Sequence, residues 1–227
     1  MVQLELLLLY STAVAAGLRE RKKQQTRELI AETARRLFAE RRFERVTVAE
    51  IARAADVSDQ TVFNYFPTKE ELVYWRLGSF EEELLSTIRE REPEESIVAA
   101  FGRFLLAQRG LLGQSDPEAR EHLIAVSRMI EASPALRARE QQIFAAYTDS
   151  LAGLIRDERG AAADDVEPWV AANAMMGVHR ALVGYARRRV VEGARQPQLA
   201  RDVREQAERA LARLARGLGD YGADRSR

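Results

Sequence analysis

The short segment SDQTVFNYFPTK, which begins at Ser58, contains several different side chains that can form hydrogen bonds. Gln60 and Thr61 each combine a donor with an acceptor, so they can pair with the edges of nucleic-acid bases. Asp59 can only accept, which suits a cytosine amino group better than a phosphate. Lys69 is a cation that can bind a phosphate. The segment is therefore suited to recognition by hydrogen bonds.

Helix signals surround this segment and would position its side chains. Thr47 followed by Glu50 makes a capping box, so a helix is expected to begin directly after Thr47. Ser58 is a second N-cap, and the helix after it should end near Phe66 because Pro67 disfavours the α conformation there. Two short helices joined by a tight turn predict a helix-turn-helix, whose second helix lies in the DNA major groove.

The spacing of Val62 and Phe66 places both on one helix face, which we expect to be buried. The remaining positions would then face DNA. This spacing is equally compatible with an ordinary helical corner, in which Phe63 and Tyr65 would belong to the core. The predicted DNA contacts are Thr47, Ser58, Asp59, Gln60, Thr61, Phe63, Asn64, Tyr65 and Lys69.

The segment GLRERKKQQTRELIAETARRLFAERRFERV together with TVAEIARAADVSDQTVFNYFPTKEEL resembles the DNA-binding domain of the tetracycline-repressor (TetR) family of bacterial regulators. The resemblance covers about residues 17–73. It implies that Asp59, Gln60 and Thr61 read bases. It also implies phosphate contacts at Phe63, Tyr65 and Lys69, where Phe63 lacks the hydroxyl of the usual Tyr and can make only van der Waals contact.

Two residues depart from the family pattern, because Arg42 and Asp56 stand where the family has glycine. Glycine is favoured where the backbone adopts a positive φ angle. Asp tolerates that conformation with a modest penalty, whereas Arg tolerates it less readily.

The basic residues that precede the helix-turn-helix form a second candidate contact with DNA. Residues 18–69 contain twelve Lys or Arg against eight Asp or Glu, although the whole chain has a formal net charge of zero. The basic end is therefore the expected DNA end. The candidate phosphate contacts here are Lys22, Lys23 and Arg27, each of which could instead lie on a solvated face.

Composition indicates a soluble, all-α protein. The chain is 46% hydrophobic and 31% charged, with six prolines and no cysteine. The missing cysteine excludes disulfides and thiolate metal sites and is compatible with the bacterial cytoplasm. The apolar run at residues 6–9 is too short to span a bilayer and lacks a preceding cationic region, so residues 1–17 are predicted to be a disordered extension.

Helical periodicity predicts the remaining organisation. Residues 18–67 form the DNA-binding domain, residues 68–220 a helical ligand-binding and dimerisation domain, and residues 221–227 a tail. Thr68 with Glu71 resembles a third capping box and would start one helix reaching about residue 91. The last two long helices are rich in small and apolar residues, which indicates either burial within one subunit or, as the family resemblance implies, a dimer interface.

No catalytic motif is evident. The chain has no P-loop, GxSxG or HExxH sequence, and its only histidines, His122 and His179, have no second histidine four residues away, so we expect no enzyme activity, metal or cofactor. The segment HLIAVSRMIEASPALRARE weakly resembles a TetR subset with an acyl-CoA-like ligand-binding domain. Candidate ligand contacts, each of which could be ordinary core, are Trp75, Phe104, Met129, Phe144, Tyr147, Met176 and His179.

The sequence therefore predicts a homodimeric, ligand-responsive repressor that binds an inverted-repeat operator in double-stranded DNA. A small hydrophobic or acyl-CoA-like effector would release it by moving the helix after Thr68. The alternative is an all-helical small-molecule-binding protein or enzyme with a structural N-terminal corner.

Overall fold

The computed structural model describes the backbone of residues 2–75, 78–107, 117–194 and 197–218, and the side chains of residues 21–75, 79–107, 124–194 and 197–217. Within these ranges the chain forms ten α-helices, one 3-10 turn and no strand, which confirms the all-α class. None of the helices so described is both long and apolar enough to cross a membrane. The chain divides into two compact units, Met1–Arg76 and Leu77–Arg227.

The first unit packs short helices around the end of a long one. Its elements are α1 (Val2–Arg41), a 3-10 turn (Phe43–Arg45), α2 (Val48–Ala54), α3 (Asp59–Tyr65) and α4 (Glu71–Tyr74). In the C-terminal part of α1, Ile30, Ala34 and Phe38 recur at helical spacing and are buried, and α1 packs against α2 and α4. The core of this unit comprises Ile30, Ala34, Phe38, Phe43, Val46, Ile51, Val62, Phe66 and Leu72.

The capping box at the start of α2 is formed as predicted. The Glu50 N–H donates to Thr47 Oγ1 at 3.2 Å, and the Thr47 N–H donates to Glu50 Oε2 at 2.8 Å. Arg41 adds an ion pair to Glu50 at 2.8 Å. The bonds from Thr47, followed by that from Arg41, lower the pKa of Glu50 to about 2. The carboxylate is therefore charged whenever the protein is near neutral pH.

Three features differ from the sequence predictions. The backbone of residues 2–17 continues α1 as helix, where we expected a disordered extension, because this leucine- and alanine-rich run favours helix. Helix α4 belongs to the first unit, so that unit extends beyond residue 67. Thr68 does not cap α4: its carbonyl accepts the Glu71 N–H, and Glu70 occupies the N-cap without a side-chain bond.

The second unit is a bundle around two long helices. Its elements are α5 (Gly78–Arg89), α6 (Ile97–Ala107), α7 (Pro117–Ala132), α8 (Pro134–Arg159), α9 (Glu167–Val191) and α10 (Gln198–Leu218). Helices α8 and α9 pack together along their lengths, and α10 packs on α9 and α6. A Cβ at Gly102 would lie 3.3 Å from Leu211 Cδ1, so a glycine lets α6 and α10 approach closely.

A buried arginine joins two helix ends in this unit. The Arg91 side chain is 1% exposed and lies 2.8 Å from Glu158, near the end of α8. It also donates to the carbonyls of Ile88 and Glu95 at 2.7 and 3.0 Å. Because the guanidinium is paired and hydrogen-bonded, its burial is tolerated, and it fastens the end of α5 to α8.

Both positions where the sequence departs from glycine have a positive φ. Arg42 has φ 68° and ψ 148°, and Asp56 has φ 54°. The Arg42 conformation is close to a region of backbone space that is nearly exclusive to glycine. The turn that connects α1 to the helix-turn-helix is therefore strained.

We predict that Arg42→Gly stabilises the first unit by about 1 kcal/mol, because glycine adopts this conformation without a Cβ clash. Arg42→Ala is the matched control, since it removes the same side chain and retains Cβ, and it should give no comparable gain. The free energy of unfolding of the full chain, measured by denaturant titration, checks both variants. Equal effects of glycine and alanine would show that the turn is not strained.

Candidate nucleic-acid interface and effector site

Helix α3 is fixed by an N-cap and by two buried side chains. The Thr61 N–H donates to Ser58 Oγ at 3.0 Å, and the two hydroxyls lie 2.8 Å apart. Val62 and Phe66 are each 1% exposed, as their spacing predicted. The opposite face of α3 is consequently turned away from the core of the first unit.

The outward face of α3 carries most of the predicted base-reading side chains. Asp59, Gln60 and Asn64 are exposed, and Thr61 and Tyr65 are half-buried. Phe63 is 45% exposed, so it does not belong to the core as the ordinary-corner interpretation required. The outward face of α3 therefore carries an exposed aromatic ring beside two exposed amides.

Two amides on this face are bonded to each other. Gln60 Nε2 donates to Asn64 Oδ1 at 3.0 Å across one helical turn. Both side chains are exposed, so the bond orders them without burying them. The pair presents a defined set of donors and acceptors to a partner.

The Lys69 side chain binds backbone carbonyls of an earlier segment, which the sequence did not reveal. Its Nζ donates to the carbonyls of Phe43 and Val46 at 2.9 and 3.1 Å and lies 4.0 Å from the centre of the Phe43 ring. Partial burial lowers the pKa of Lys69 below its ordinary value. An ammonium has three donors, so one remains for a phosphate. The main role of Lys69 in this structure is thus to stabilise the turn before α2, and we call it a clamp below.

The basic residues of α1 belong to the same unit as α3. Lys22, Lys23 and Arg27 are exposed, as is the capping residue Thr47. Arg27 Cζ lies 5.5 Å from the centre of the Phe66 ring, which places its guanidinium beside the residue that ends α3. One cation of α1, Arg27, therefore lies at the end of the helix that carries the amide pair.

An aromatic cluster occupies the second unit, between α5, α6, α8 and α9. The Phe80 ring lies 4.4 Å from His179, 5.2 Å from Phe104 and 5.3 Å from Tyr147, between ring centres. Phe144 meets His179 edge-on at 5.6 Å. These five side chains are called the aromatic cluster below. Four of them were predicted ligand contacts, and the fifth, Phe80, was not.

Burial controls the ionisation of the two titratable groups in the cluster. It lowers the pKa of His179 to about 4, so the imidazole is neutral at pH 7. Burial, with a smaller contribution from Glu81, raises the pKa of Tyr147 to about 12. The cluster is therefore uncharged and mainly apolar, with an imidazole and a tyrosine hydroxyl as its polar groups.

The other predicted ligand contacts are placed less uniformly. Met176 is fully buried in the same core, and Met129 is half-buried on α7, which packs against α8 and α9. Trp75 follows α4 in the first unit, whereas the aromatic cluster belongs to the second. The side chain of His122 lies outside the described residues. Among the described residues, no cluster of metal-ligating side chains occurs.

The fold and these two sites define a class, a helical DNA-binding protein with a separate ligand-binding unit. Residues 30–74 match the family model of bacterial regulatory proteins of the tetR family, and residues 107–219 match the model of the MftR C-terminal domain. The chain belongs to the TetR family of transcriptional regulators.

Individual relatives agree with this assignment. The chain is 29% identical over 157 residues to the HTH-type transcriptional regulator TcmR of Streptomyces glaucescens, covering 68% of this chain and 70% of the relative. It is 26% identical over 165 residues to MftR of Mycobacterium tuberculosis, covering 70% and 78%. The crystal structure of FadR from Bacillus subtilis in complex with stearoyl-CoA has a TM-score of 0.51 at 21% identity, covering 84% of this chain and 98% of FadR, and shows the same fold.

We predict that Lys69→Met lowers the free energy of unfolding of the first unit by about 1–3 kcal/mol, because two backbone carbonyls lose a charged donor. Lys22→Met is the matched control at an exposed position and should have little effect. Amide hydrogen exchange of α1, α2 and α3 measures the change. If Lys69→Met left exchange unaltered while reducing DNA binding, Lys69 would be a phosphate contact and not a clamp.

Proposed function

We propose that this regulator is a homodimeric repressor that binds an inverted-repeat operator through α3 and is released by a small hydrophobic or acyl-CoA-like effector in the bacterial cytoplasm. The observation that carries the proposal is the outward face of α3, where Gln60, Phe63 and Asn64 are exposed while Val62 and Phe66 are buried. A helix held in this way can enter the major groove with its polar face toward the bases.

The charge of the first unit supports DNA as the partner. Lys22, Lys23 and Arg27 are exposed on α1, and their charges can neutralise backbone phosphates. Phosphate contacts fix the register of the protein on the duplex, whereas the side chains of α3 distinguish sequences. The two groups of residues thus have separate tasks in the proposed complex.

The exposed surface of α9 supports the dimer. Val166, Trp169 and Val170 are 68%, 55% and 53% exposed, which is a large apolar area at the start of this helix. Gly177, two turns further along, has no heavy atom within 4 Å of an added Cβ, so another backbone could approach there. A two-fold dimer would also present two copies of α3, which tight binding of an inverted repeat requires.

The aromatic cluster supports an apolar effector. Phe80 contacts Phe104, Tyr147 and a neutral His179, and three members of the cluster, Phe144, Tyr147 and His179, lie in the segment that matches the MftR C-terminal domain. FadR, which has the same fold, was solved with stearoyl-CoA. An effector acts as inducer only if it binds the DNA-incompetent state more tightly, since equal affinity for both states would shift no population.

We predict that the chain binds duplexes from its own upstream region in a sequence-selective and salt-sensitive way. Lys23→Ala should weaken binding to all duplexes alike and reduce the slope of log affinity against log salt by about 0.9 per contacting subunit. Arg180→Ala, an exposed arginine of the second unit, is the matched control and should leave the slope unchanged. Fluorescence anisotropy at several salt concentrations measures both.

If the wild-type protein bound duplexes only weakly, with an affinity that depends on salt but not on sequence, the result would favour the alternative. In that alternative the chain is a small-molecule-binding protein or enzyme with a structural N-terminal corner.

We further predict that an acyl-CoA or free fatty acid raises the unfolding midpoint and weakens operator binding in the same titration. Phe80→Ala should weaken effector binding about tenfold, because a ring that contacts three other rings is removed. Ile155→Ala, a fully buried truncation outside the cluster, should retain effector binding despite lower stability. Thermal shift and anisotropy with acyl-CoAs of increasing length, fatty acids and CoA alone check this, and a response to CoA alone would contradict it.

A further inference from the structure

The hydrogen bond between Gln60 and Asn64 has no evident structural task. Both side chains are exposed, and the helix they share is already fixed by Ser58 and by the burial of Val62 and Phe66. An isolated pair of this kind adds little to helix stability. Its effect is to restrict two flexible amides on the face that the proposed function directs at DNA.

We propose that Asn64 reads an adenine in each half-site and that Gln60 is its positioning residue. This inference rests on the proposed function. The Gln60 amide donates to Asn64 Oδ1, which leaves one lone pair of that oxygen and both N–H groups of the Asn64 amide available. A free acceptor beside a free donor on one planar amide matches adenine, whose N6 amino group donates and whose N7 accepts.

The bond also determines which of the two amides reads the base. Gln60 has already used one donor on its neighbour, so its side chain is tied to the helix surface. Asn64 has the shorter side chain and one fewer rotatable bond, and the bond from Gln60 fixes its amide plane. Ordering these groups before association removes part of the entropy lost on binding.

Phe63 extends the same recognition to the partner base. Gln60 lies within one helical turn of both Phe63 and Asn64, so the three residues share one face of α3. Phe63 is 45% exposed and can contact the methyl group of thymine. We therefore expect an A·T pair at this position, with Phe63 on the thymine methyl group of the same pair or of a neighbouring A·T pair.

The experiment begins with selection of binding sites by the wild-type protein from randomised duplexes, followed by affinity measurements on the best site and its single-base variants. The wild type should prefer one adenine per half-site. Asn64→Ala should lose this preference about tenfold or more. Gln60→Ala should lose part of it at the same base pair, and the double variant should resemble Asn64→Ala alone, because both residues act on one contact.

Two further variants separate positioning from direct contact. Gln60→Lys retains a donor for Asn64 Oδ1 and should keep the adenine preference, whereas Gln60→Met, of similar length but without a donor, should lose the same part of it as Gln60→Ala. Preference is a ratio between duplexes, so the uniform effect of an added charge cancels. Replacing the adenine by 7-deazaadenine, which lacks the N7 acceptor, should weaken wild-type binding and leave Asn64→Ala unchanged.

The possible outcomes are distinct. Selective binding in which Gln60→Ala and Asn64→Ala alter different base pairs, or act additively, would overturn the pair while leaving the proposed function intact. Selective binding without an adenine preference that depends on Asn64 would do the same. A wild-type protein without any sequence preference would overturn the proposed function itself. Unchanged thermal unfolding of all variants confirms that the readout is recognition.

Discussion

The burial of Val62 and Phe66 against the first unit fixes the orientation of α3, and every property of its outer face depends on that orientation. A seven-residue helix is too short to be stable alone, so its direction comes from packing and not from its own hydrogen bonds. Successive residues are about 100° apart around a helix. With Val62 and Phe66 buried, Gln60, Phe63 and Asn64 lie on the outer face. There the hydrogen bond between the two side-chain amides orders Gln60 and Asn64.

The turn that leads into the helix-turn-helix contains a strained residue, and hydrogen bonds from Lys69 stabilise it. Arg42 has a positive φ, which disfavours the turn. The carbonyls of Phe43 and Val46 close to it accept hydrogen bonds from Lys69, whose ammonium also lies over the Phe43 ring. Lys69 therefore links the residues that follow α3 to those that precede α2. These hydrogen bonds connect the two ends of the segment that contains α2 and α3.

The second unit combines apolar and ionic contacts along the pair of α8 and α9. Phe144 and His179 meet in the aromatic cluster, and one helical turn before Phe144 the Glu140 carboxylate accepts from Arg187 Nη1 at 2.7 Å. These two contacts show that the helices run antiparallel. The two charges are paired where both side chains are largely buried, and the neighbouring cluster is uncharged because burial keeps His179 neutral.

Sequence alone determined the all-α class, both N-caps and the buried pair of α3, because each depends on neighbours within a few residues. The family resemblance, which has glycine where Arg42 and Asp56 stand, indicated the positions that have a positive φ. The sequence did not determine that Lys69 reaches residues more than twenty positions away, that Trp75 belongs to the first unit, or that Phe80 joins three rings from other helices. Those facts arise from packing between distant segments. Helical periodicity shows which face of a helix is apolar, but only the tertiary structure shows what that face contacts.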